Sequence, residues 1–217
     1  MFYHPHPYPP FIPKNAKSLL VGTLPPPRFV TKKLLEGDVD FCYGSNKGQL
    51  WPILAKIFSL DLSYENTDAA ITQRKQFLIA RKLGICDIVD ACYRQKIDAS
   101  DLGMEQVKLR NVLKYLTDTP TVNTLLFTGG NSKNGPEFFF RQLLKKNKSN
   151  LTLINSDSPK IHHFKLGHRT LKTVSLTAPS GAANRAVGSS LKYKNQKRKD
   201  PAYTTFDYRV DQYREFF

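Results

Sequence analysis

Apolar residues along the chain recur in short runs that alternate with longer stretches of helical spacing. Four short apolar runs, each bounded by polar residues, glycine or proline, have the pattern of buried strands. They lie at 16–22, 85–90, 124–128 and 173–176. Helical spacing is found at 49–58, 72–83, 102–116, 136–146 and 208–217. This alternation predicts a three-layer α/β/α sandwich with a central, four-stranded, mainly parallel sheet.

Two segments outside this alternation are predicted to be irregular. The prolines within residues 1–15 predict an extended strap. Residues 192–200 are rich in lysine and are predicted to form a basic loop, after a helix that begins near Arg185. Gly84 is predicted to end the second helix as its C-terminal cap. Because the sequence has neither an internal repeat nor a flexible linker, residues 1–217 are predicted to form a single domain.

Positive charge is concentrated in one part of the chain. The formal net charge is +15, and residues 128–199 contain 15 Lys and Arg residues against two acidic ones. A domain with one strongly basic region usually binds a polyanion, because each neutralised phosphate releases counterions. The charge therefore predicts a nucleic-acid partner, with a solvated basic surface as the alternative.

The composition also bears on location and cofactors. No apolar run approaches the ~20 residues that span a bilayer, so no membrane association is expected. The first residues lack the basic and then apolar pattern of a signal peptide. The three cysteines, Cys42, Cys86 and Cys92, are too few for a disulfide framework or a four-thiolate cluster. We expect a cytoplasmic, nucleoid-associated protein.

Residues 41–54 contain the most distinctive local pattern, a loop with two glycines that is flanked by aromatic residues and leads into a helix. Glycine lets a ligand approach the backbone N–H groups closely. Phe41, Tyr43 and Trp51 offer faces for stacking, while Asn46 offers both a donor and an acceptor. The pattern indicates a pocket for a planar group with polar edges, such as a nucleobase. The alternative is an ordinary turn with buried aromatics, which Asn46 closes through its side chain.

Further candidate residues follow the predicted strands. In a parallel sheet, functional groups gather at the carboxyl ends of the strands. Four candidates fall there: the loop after Gly22, Asp87, the Gly129-Gly130 turn and the 179–185 loop. The topology is expected to bring them together.

These segments together resemble the uracil-DNA glycosylase superfamily, and within it most closely the hypoxanthine-DNA glycosylase branch, its sixth family. The resemblance covers nearly the whole chain and depends on the order and spacing of several short motifs. They are His6-Pro7 with Pro10-Phe11-Ile12-Pro13, Gly22-Thr23-Leu24-Pro25 at the first superfamily motif, Tyr43-Gly44 through Trp51-Pro52-Ile53-Leu54, Gly84-Ile85 through Val89, and Ala178 through Asn184 at the second superfamily motif.

Three departures from the superfamily's pattern concern its catalytic positions. Leu24 stands where many members have an Asp or Asn that polarises the attacking water. In the hypoxanthine branch the important Asn lies in the aromatic loop, at a position that falls nearer Gly48 than Asn46 in this chain. The second motif contains Ser180 and Asn184 but lacks the His of the best-known uracil enzymes.

The resemblance implies a monofunctional DNA glycosylase that hydrolyses the N-glycosidic bond of a flipped-out deaminated base, uracil or hypoxanthine, and leaves an abasic site. Asn46 and Asp87 are the expected catalytic residues, through orientation of water and contact with the base edge. The expected base pocket consists of Gly22, Thr23, Leu24, Phe41, Tyr43 and Trp51. The expected DNA contacts are Ser180, Gly181, Asn184, Arg185, Lys192, Lys194 and Lys197. We expect a monomer that needs no metal or organic cofactor.

Structural alternatives remain for these residues. The alternative for Asp87 is a structural role as a cap or in an ion pair with Arg94. The three residues His162, His163 and His168 suggest a metal site, but neighbouring strand residues point to opposite faces and no nearby Cys or Glu completes a ligand set. Two other functions also fit the sequence. They are a non-catalytic DNA-binding module of the same fold and an enzyme of free nucleosides or nucleotides.

Overall fold

The computed structural model describes all 217 residues and contains two β-sheets and seven α-helices. The strands are β1 (Phe2–Pro5), β2 (Ser18–Val21), β3 (Leu83–Ile85), β4 (Val89–Arg94), β5 (Met104–Leu109), β6 (Thr124–Phe127), β7 (Thr152–Asn155), β8 (Lys160–Leu166) and β9 (Arg169–Ser175). The helices are α1 (Leu50–Phe58), α2 (Asp68–Ala80), α3 (Val112–Asp118), α4 (Pro136–Lys146), α5 (Asn184–Ser189), α6 (Leu191–Lys199) and α7 (Thr205–Arg214).

The larger sheet has six strands in the order β3-β2-β6-β9-β8-β7. Strands β3, β2, β6 and β9 are mutually parallel, which confirms the predicted α/β fold with a mainly parallel sheet. The predicted number of strands is wrong, because β8 and β7 extend the sheet in antiparallel fashion. Gly167 (φ 58°) lies in the two-residue turn between β8 and β9, where it adopts the left-handed backbone that the turn requires. The residues of β7 are largely exposed, including Leu153 and Ile154, and this strand was not predicted.

A second, three-stranded antiparallel sheet has the order β1-β4-β5 and changes three predictions. The proline-rich strap is not irregular throughout, because its first residues form β1. The predicted strand 85–90 is divided between β3 and β4, so that residues 86–88 form a connection between the two sheets. The predicted helix 102–116 is wrong. Its first part is strand β5, and only the second part is helix α3.

The bounds of the predicted helices agree with the structure to different degrees. Helix α4 has the predicted bounds and begins with Pro136, which suits the first helical position. Helix α2 starts earlier than predicted, because the Thr67 side chain caps it by accepting a hydrogen bond from Ala70 N. Gly84 is not a helix cap. It lies in β3, where an added Cβ would be 2.8 Å from Leu19 Cδ1.

The basic segment 192–200 is not a loop, since residues up to Lys199 belong to helix α6. Tyr193 holds this helix against the C-terminal part of the chain, with its ring 5.9 Å from Tyr203 and 6.2 Å from Tyr208. The lysine side chains of α6 remain exposed.

The hydrophobic core lies on both faces of the larger sheet. Successive strand residues point to opposite faces. Leu19 and Leu125 accordingly pack with α3 and α4, whereas Leu20 and Leu126 pack with α1 and α7. The parallel strands thus end together at one edge of the sheet. None of the helices is long and apolar enough to cross a bilayer.

Candidate active site

A cavity of about 310 Å³, here called the primary cavity, opens where β2, β6 and β9 end. Six separate chain segments contribute to its wall, as expected for a site at the carboxyl edge of a parallel sheet. Its lining residues are Thr23, Leu24, Pro25, Pro26, Arg28, Phe29, Tyr43, Gly44, Ser45, Lys47, Gly48, Asp87, Ala99, Asp101, Thr128, Ala178, Pro179 and Ser180. Its size is at the lower end of the range for small-molecule sites.

Asp87 is a buried carboxylate of the primary cavity whose orientation is fixed by two donors. Its Oδ1 accepts a hydrogen bond from Gly22 N at 3.2 Å, and its Oδ2 lies 2.8 Å from His6 Nε2. The other ring nitrogen of His6, Nδ1, accepts a hydrogen bond from Tyr8 N at 3.1 Å. In the neutral ring, Nε2 therefore carries the hydrogen and donates it to Asp87.

The partners of Asp87 are His6 and Gly22, and not Arg94, which the sequence had suggested as an alternative. The guanidinium of Arg94 instead contacts His4 Nδ1 and the carbonyl oxygen of Ser100. Sequence reasoning did not identify His6 as a site residue, although it opens the family-like motif. Its proline-rich surroundings predicted only an extended strap, and its partner Asp87 is 81 positions away.

Gly22 and Tyr43 are packed so closely that only glycine fits at position 22. An added Cβ would be 2.0 Å from Tyr43 Oη and 2.7 Å from Asp87 Oδ1. The Tyr43 hydroxyl forms a hydrogen bond of 2.8 Å with Thr128 Oγ1. Burial, together with the nearby Asp87 carboxylate, raises the pKa of Tyr43 well above its usual value. The hydroxyl consequently stays protonated and retains a donor at the floor of the cavity.

Asp101 is a second carboxyl group in the primary cavity, and sequence reasoning missed it. Its Oδ1 accepts a hydrogen bond from Thr23 Oγ1 at 2.8 Å, and its backbone oxygen accepts one from Asn134 Nδ2. Burial raises the pKa of Asp101 to about 6, against the opposing effects of the Thr23 hydrogen bond and of Arg94. Asp101 was not predicted as a site residue, because it lies next to the predicted helix 102–116 and not at the end of a predicted strand.

Aromatic and basic side chains complete the wall of the primary cavity. Phe29 and Tyr43 both line it, but Phe29 is 0% exposed, so Tyr43 alone offers an aromatic face to a flat ring. Arg28 donates two hydrogen bonds to the buried Asp38, at 2.7 and 2.9 Å, and a third to Ser45 Oγ. This ion pair joins two loops of the wall. Lys47 lines the cavity and is otherwise exposed.

Three of the predicted catalytic and base-pocket side chains lie outside the primary cavity. The Asn46 side chain donates to the Glu36 carbonyl oxygen, and its backbone N–H donates to Asp38. Phe41 and Trp51 belong to the hydrophobic core, where they are 6% and 1% exposed. The indole N–H of Trp51 is already bonded to the Cys42 carbonyl oxygen. These side chains pack beneath the loop and not into the cavity. This arrangement agrees with the alternative interpretation of residues 41–54, an ordinary turn with buried aromatics.

The other predicted residues fall into two groups. Gly22 lies beneath the primary cavity, while Thr23, Leu24, Tyr43, Asp87 and Ser180 line it. The predicted DNA contacts beyond Ser180 are exposed on the segment that follows the cavity; they are Gly181, Asn184, Arg185, Lys192, Lys194 and Lys197. Asn184 accepts a hydrogen bond from Thr205 Oγ1, and Lys192 lies 3.7 Å from Glu215.

A second cavity of about 550 Å³ adjoins the primary one and shares Asp101, Thr128, Ala178 and Ser180 with it. It contains the predicted Gly129-Gly130 turn and a set of serines, Ser132, Ser156, Ser158 and Ser175. The two cavities together follow the carboxyl edge of the sheet. His162, by contrast, lines neither cavity and is buried between Arg141 and Glu137. No group of three His, Cys, Asp or Glu side chains is arranged to hold a metal ion.

Comparisons with known proteins establish the fold. No family model matches the chain, and no curated protein matches it in sequence. The structure is similar to the solution NMR structure of a "putative Uracil DNA glycosylase" from Methanosarcina acetivorans, with a TM-score of 0.54 and 14% sequence identity. The superposition covers 97% of this chain and 99% of that one. The chain therefore shares the α/β fold of that protein over its whole length.

Proposed function

We propose that this protein is a DNA glycosylase of the uracil-DNA glycosylase superfamily that acts on a deaminated base. One observation carries the proposal: two carboxyl groups, Asp87 and Asp101, face one cavity with aromatic walls in a chain of net charge +15. Hydrolysis of a glycosidic bond needs an edge reader and a base for water. The fold shared with the archaeal protein and the sequence motifs support the same assignment.

In this proposal the flipped base enters the primary cavity and lies against Tyr43. Asp87 accepts the ring N–H that uracil and hypoxanthine both present. An oriented carboxylate only accepts, and its hydrogen bonds to His6 and Gly22 hold it in place. This requirement favours a base with a ring N–H at its edge.

Asp101 is the proposed general base. With a pKa of about 6, much of it is ionised at neutral pH while it still binds a proton readily. A water held by Asp101 adds its oxygen to C1′, the C1′–N bond breaks, and the water proton passes to the carboxylate. The electron pair of the broken bond leaves with the base. The Lys47 ammonium and the protonated Tyr43 hydroxyl are the proposed donors for the departing anion.

The experiment uses labelled oligonucleotides that each carry one uracil, hypoxanthine, xanthine or mispaired thymine, in single and double strands. Each is incubated with excess protein and then treated with alkali, which breaks the strand at an abasic site. We expect cleavage at uracil or hypoxanthine that is lost with Asp87→Asn and with Asp101→Asn. Asp118→Asn, an exposed acid on α3 that pairs with Lys114, is the matched control. Unchanged cleavage by both cavity variants would refute the roles of Asp87 and Asp101, and no cleavage of any substrate would refute the assignment.

A non-catalytic DNA-binding module is the second candidate. It is favoured by Leu24 at the first motif and by the position of Asn46 outside the primary cavity. The module binds every oligonucleotide without cleaving it, and its affinity falls steeply with salt. An enzyme of free nucleosides differs from both, since its weak affinity for DNA is insensitive to salt.

A further inference from the structure

Strand β7 is the outermost strand of the larger sheet, and its outer edge has no partner. It pairs with β8 alone and stands last in the strand order. None of the backbone groups of residues 152–155 forms a hydrogen bond with any segment other than β8. A row of free N–H and C=O groups along an exposed strand is a template on which a further strand can pair.

The opposite edge of the same sheet is covered. Strand β3 forms that edge, and the N-terminal strap lies along it. Phe11 N donates to the Ile85 carbonyl oxygen at 3.0 Å, and Ile85 N donates to the Phe11 carbonyl oxygen at 2.8 Å. The chain therefore protects one edge of the sheet with its own backbone and leaves the other edge, at β7, open.

Strand β7 also lacks the side chains that usually keep other strands away from an edge. Natural proteins place charged residues or proline there, whereas β7 consists of Thr152, Leu153, Ile154 and Asn155. Leu153 is 53% exposed and Ile154 is 56% exposed. The ladder to β8 shifts its register between Leu153 and Asn155, so only a short stretch of the edge can pair regularly. A partner must therefore gain much of its affinity from apolar contacts with Leu153 and Ile154.

Positive charge surrounds this edge of the sheet. The chain from 145 to 172 contains seven Lys and Arg residues against one acidic residue, Asp157. The basic residues are Lys145, Lys146, Lys148, Lys160, Lys165, Arg169 and Lys172. The three that precede β7 are exposed at the end of α4 and line neither the primary nor the second cavity. A base bound in the primary cavity therefore leaves this charge without a partner.

We propose that the outer edge of β7 binds an extended, acidic segment of a partner protein as an added strand. In this binding mode main-chain hydrogen bonds join the segment to the edge, and its side chains determine specificity. Apolar side chains of the segment cover Leu153 and Ile154, while its Asp and Glu side chains face the surrounding lysines. A second copy of this chain would bring the same positive charge to the edge, which opposes pairing. Duplex DNA has no main-chain amides that could continue the sheet, so the open edge favours a peptide.

The test selects peptides of about twelve residues from a random phage library on the immobilised wild-type protein. The enriched peptides are synthesised with a fluorescent label, and their affinities are measured by anisotropy. We expect sequences in which apolar residues alternate with Asp or Glu. Leu153→Lys/Ile154→Lys should weaken their binding about tenfold or more. The matched control is Leu191→Lys, at a position that is 76% exposed on α6, and it should change the affinity by less than about twofold. A selection that yields no acidic peptides, or peptides that bind both variants equally, would overturn the proposal.

A second set of measurements identifies the kind of occupant. Binding of a selected peptide should slow amide hydrogen exchange at residues 152–155, as strand addition requires. The triple Ala variant of Lys145, Lys146 and Lys148 should bind the peptide more weakly and with a smaller salt dependence. Displacement of the peptide by duplex DNA, or a dimer in sedimentation that Leu153→Lys/Ile154→Lys abolishes, would assign the edge to nucleic acid or to a second copy and overturn the proposal. None of these measurements depends on base release, so the glycosylase assignment and the β7 proposal fail independently.

Discussion

Gly22 controls the shape of the primary cavity at the scale of a single atom. A methyl group at this position would overlap Tyr43 Oη and Asp87 Oδ1. We expect Gly22→Ala to abolish base release and to lower the free energy of unfolding by about 1–3 kcal/mol, because an overpacked site has to shift. Urea denaturation measures the stability. Gly188→Ala is the control, since its added Cβ meets no atom within 4 Å; an equal loss in both variants would contradict the packing argument.

His6 acts on the reaction through Asp87, as a positioning residue. Its Nε2–H is one of the two donors that orient the carboxylate. His6→Gln is expected to lower kcat about tenfold to a hundredfold, because misplacement by about an ångström has effects of this size. KM and DNA affinity stay unchanged. His168→Gln, an exposed residue in the β8–β9 turn, is the control. A change in KM alone would argue that His6 binds substrate.

The raised pKa of Asp101 sets the pH dependence of the reaction. A general base works in its ionised form, so activity is lost as pH falls through about 6, the pKa of Asp101. A profile of kcat/KM against pH should rise through this value and level off above it. Asp101→Asn removes the rise. If the variant keeps activity with the same profile, another group is the base.

Asp101 is also expected to lower the free energy of unfolding at neutral pH. Its folded pKa of about 6 exceeds the ordinary 3.8, so the folded state binds more protons between these values. Stability therefore falls as pH rises from about 4 to 6. Asp101→Asn should raise the free energy of unfolding at pH 7 by roughly 1–2 kcal/mol, after allowance for partial exposure. Urea denaturation at pH 4 and pH 7 measures it. A variant with no gain at pH 7 would refute this.

Helix α6, which comes after α5 in the chain, contains several exposed lysines. Its Tyr193 is packed on Tyr203 and Tyr208, so the lysines are held on the surface. We expect a triple Ala variant of Lys192, Lys194 and Lys197 to lower the slope of log affinity against log salt by roughly 2 to 3. A fluorescence titration at several salt concentrations gives the slope.

The control for α6 uses the end of α4. Lys145, Lys146 and Lys148 lie at or just after the C-terminus of a helix that begins at the carboxyl edge of the sheet. They are therefore expected at the opposite edge. Their triple Ala variant should leave the slope unchanged. An equal decrease in both variants would show that the DNA site is not at the cavity edge.

The strands and helices that were predicted correctly are those whose pattern lies within a few neighbouring residues of the sequence. The strands that became β2 and β6 are buried apolar runs, and α4 has Pro136 at its start. The predicted strand 173–176 covers only the end of β9. The smaller sheet was missed, because β1 and β5 are defined by pairing with β4, which is distant in sequence from β1. In β5 the apolar residues Met104 and Val107 are three positions apart, a spacing that also fits a helix, so β5 and the true helix after it were predicted as one helix.

The site residues that were predicted correctly are also those with a local signal in the sequence. Tyr43, Asp87, Thr23 and Ser180 were predicted because they follow strands or lie in the glycine loop, and the structure brings them to one cavity. Asn46 was predicted from residue type alone, and its side chain is bonded to Glu36. His6 and Asp101 were missed because their roles depend on contacts across the two sheets.

The whole molecule combines a positively charged chain with one cavity that contains two carboxyl groups, the buried Asp87 and the half-buried Asp101. The net charge of +15 attracts a polyanion over a long range, whereas Asp87 and Asp101 act only at contact. A cavity with two carboxyl groups suits an uncharged base that has been extruded from the negatively charged DNA backbone. The account consequently predicts that the base, and not a phosphate, occupies the primary cavity.

The most direct measurement is a crystal structure with a duplex that carries a non-hydrolysable 2′-fluoro analogue of the preferred lesion nucleotide. The account predicts that the base lies in the primary cavity, with its ring N–H within hydrogen-bond distance of Asp87 and Asp101 facing C1′. A base that remains stacked in the duplex, or a phosphate in the cavity, would contradict it.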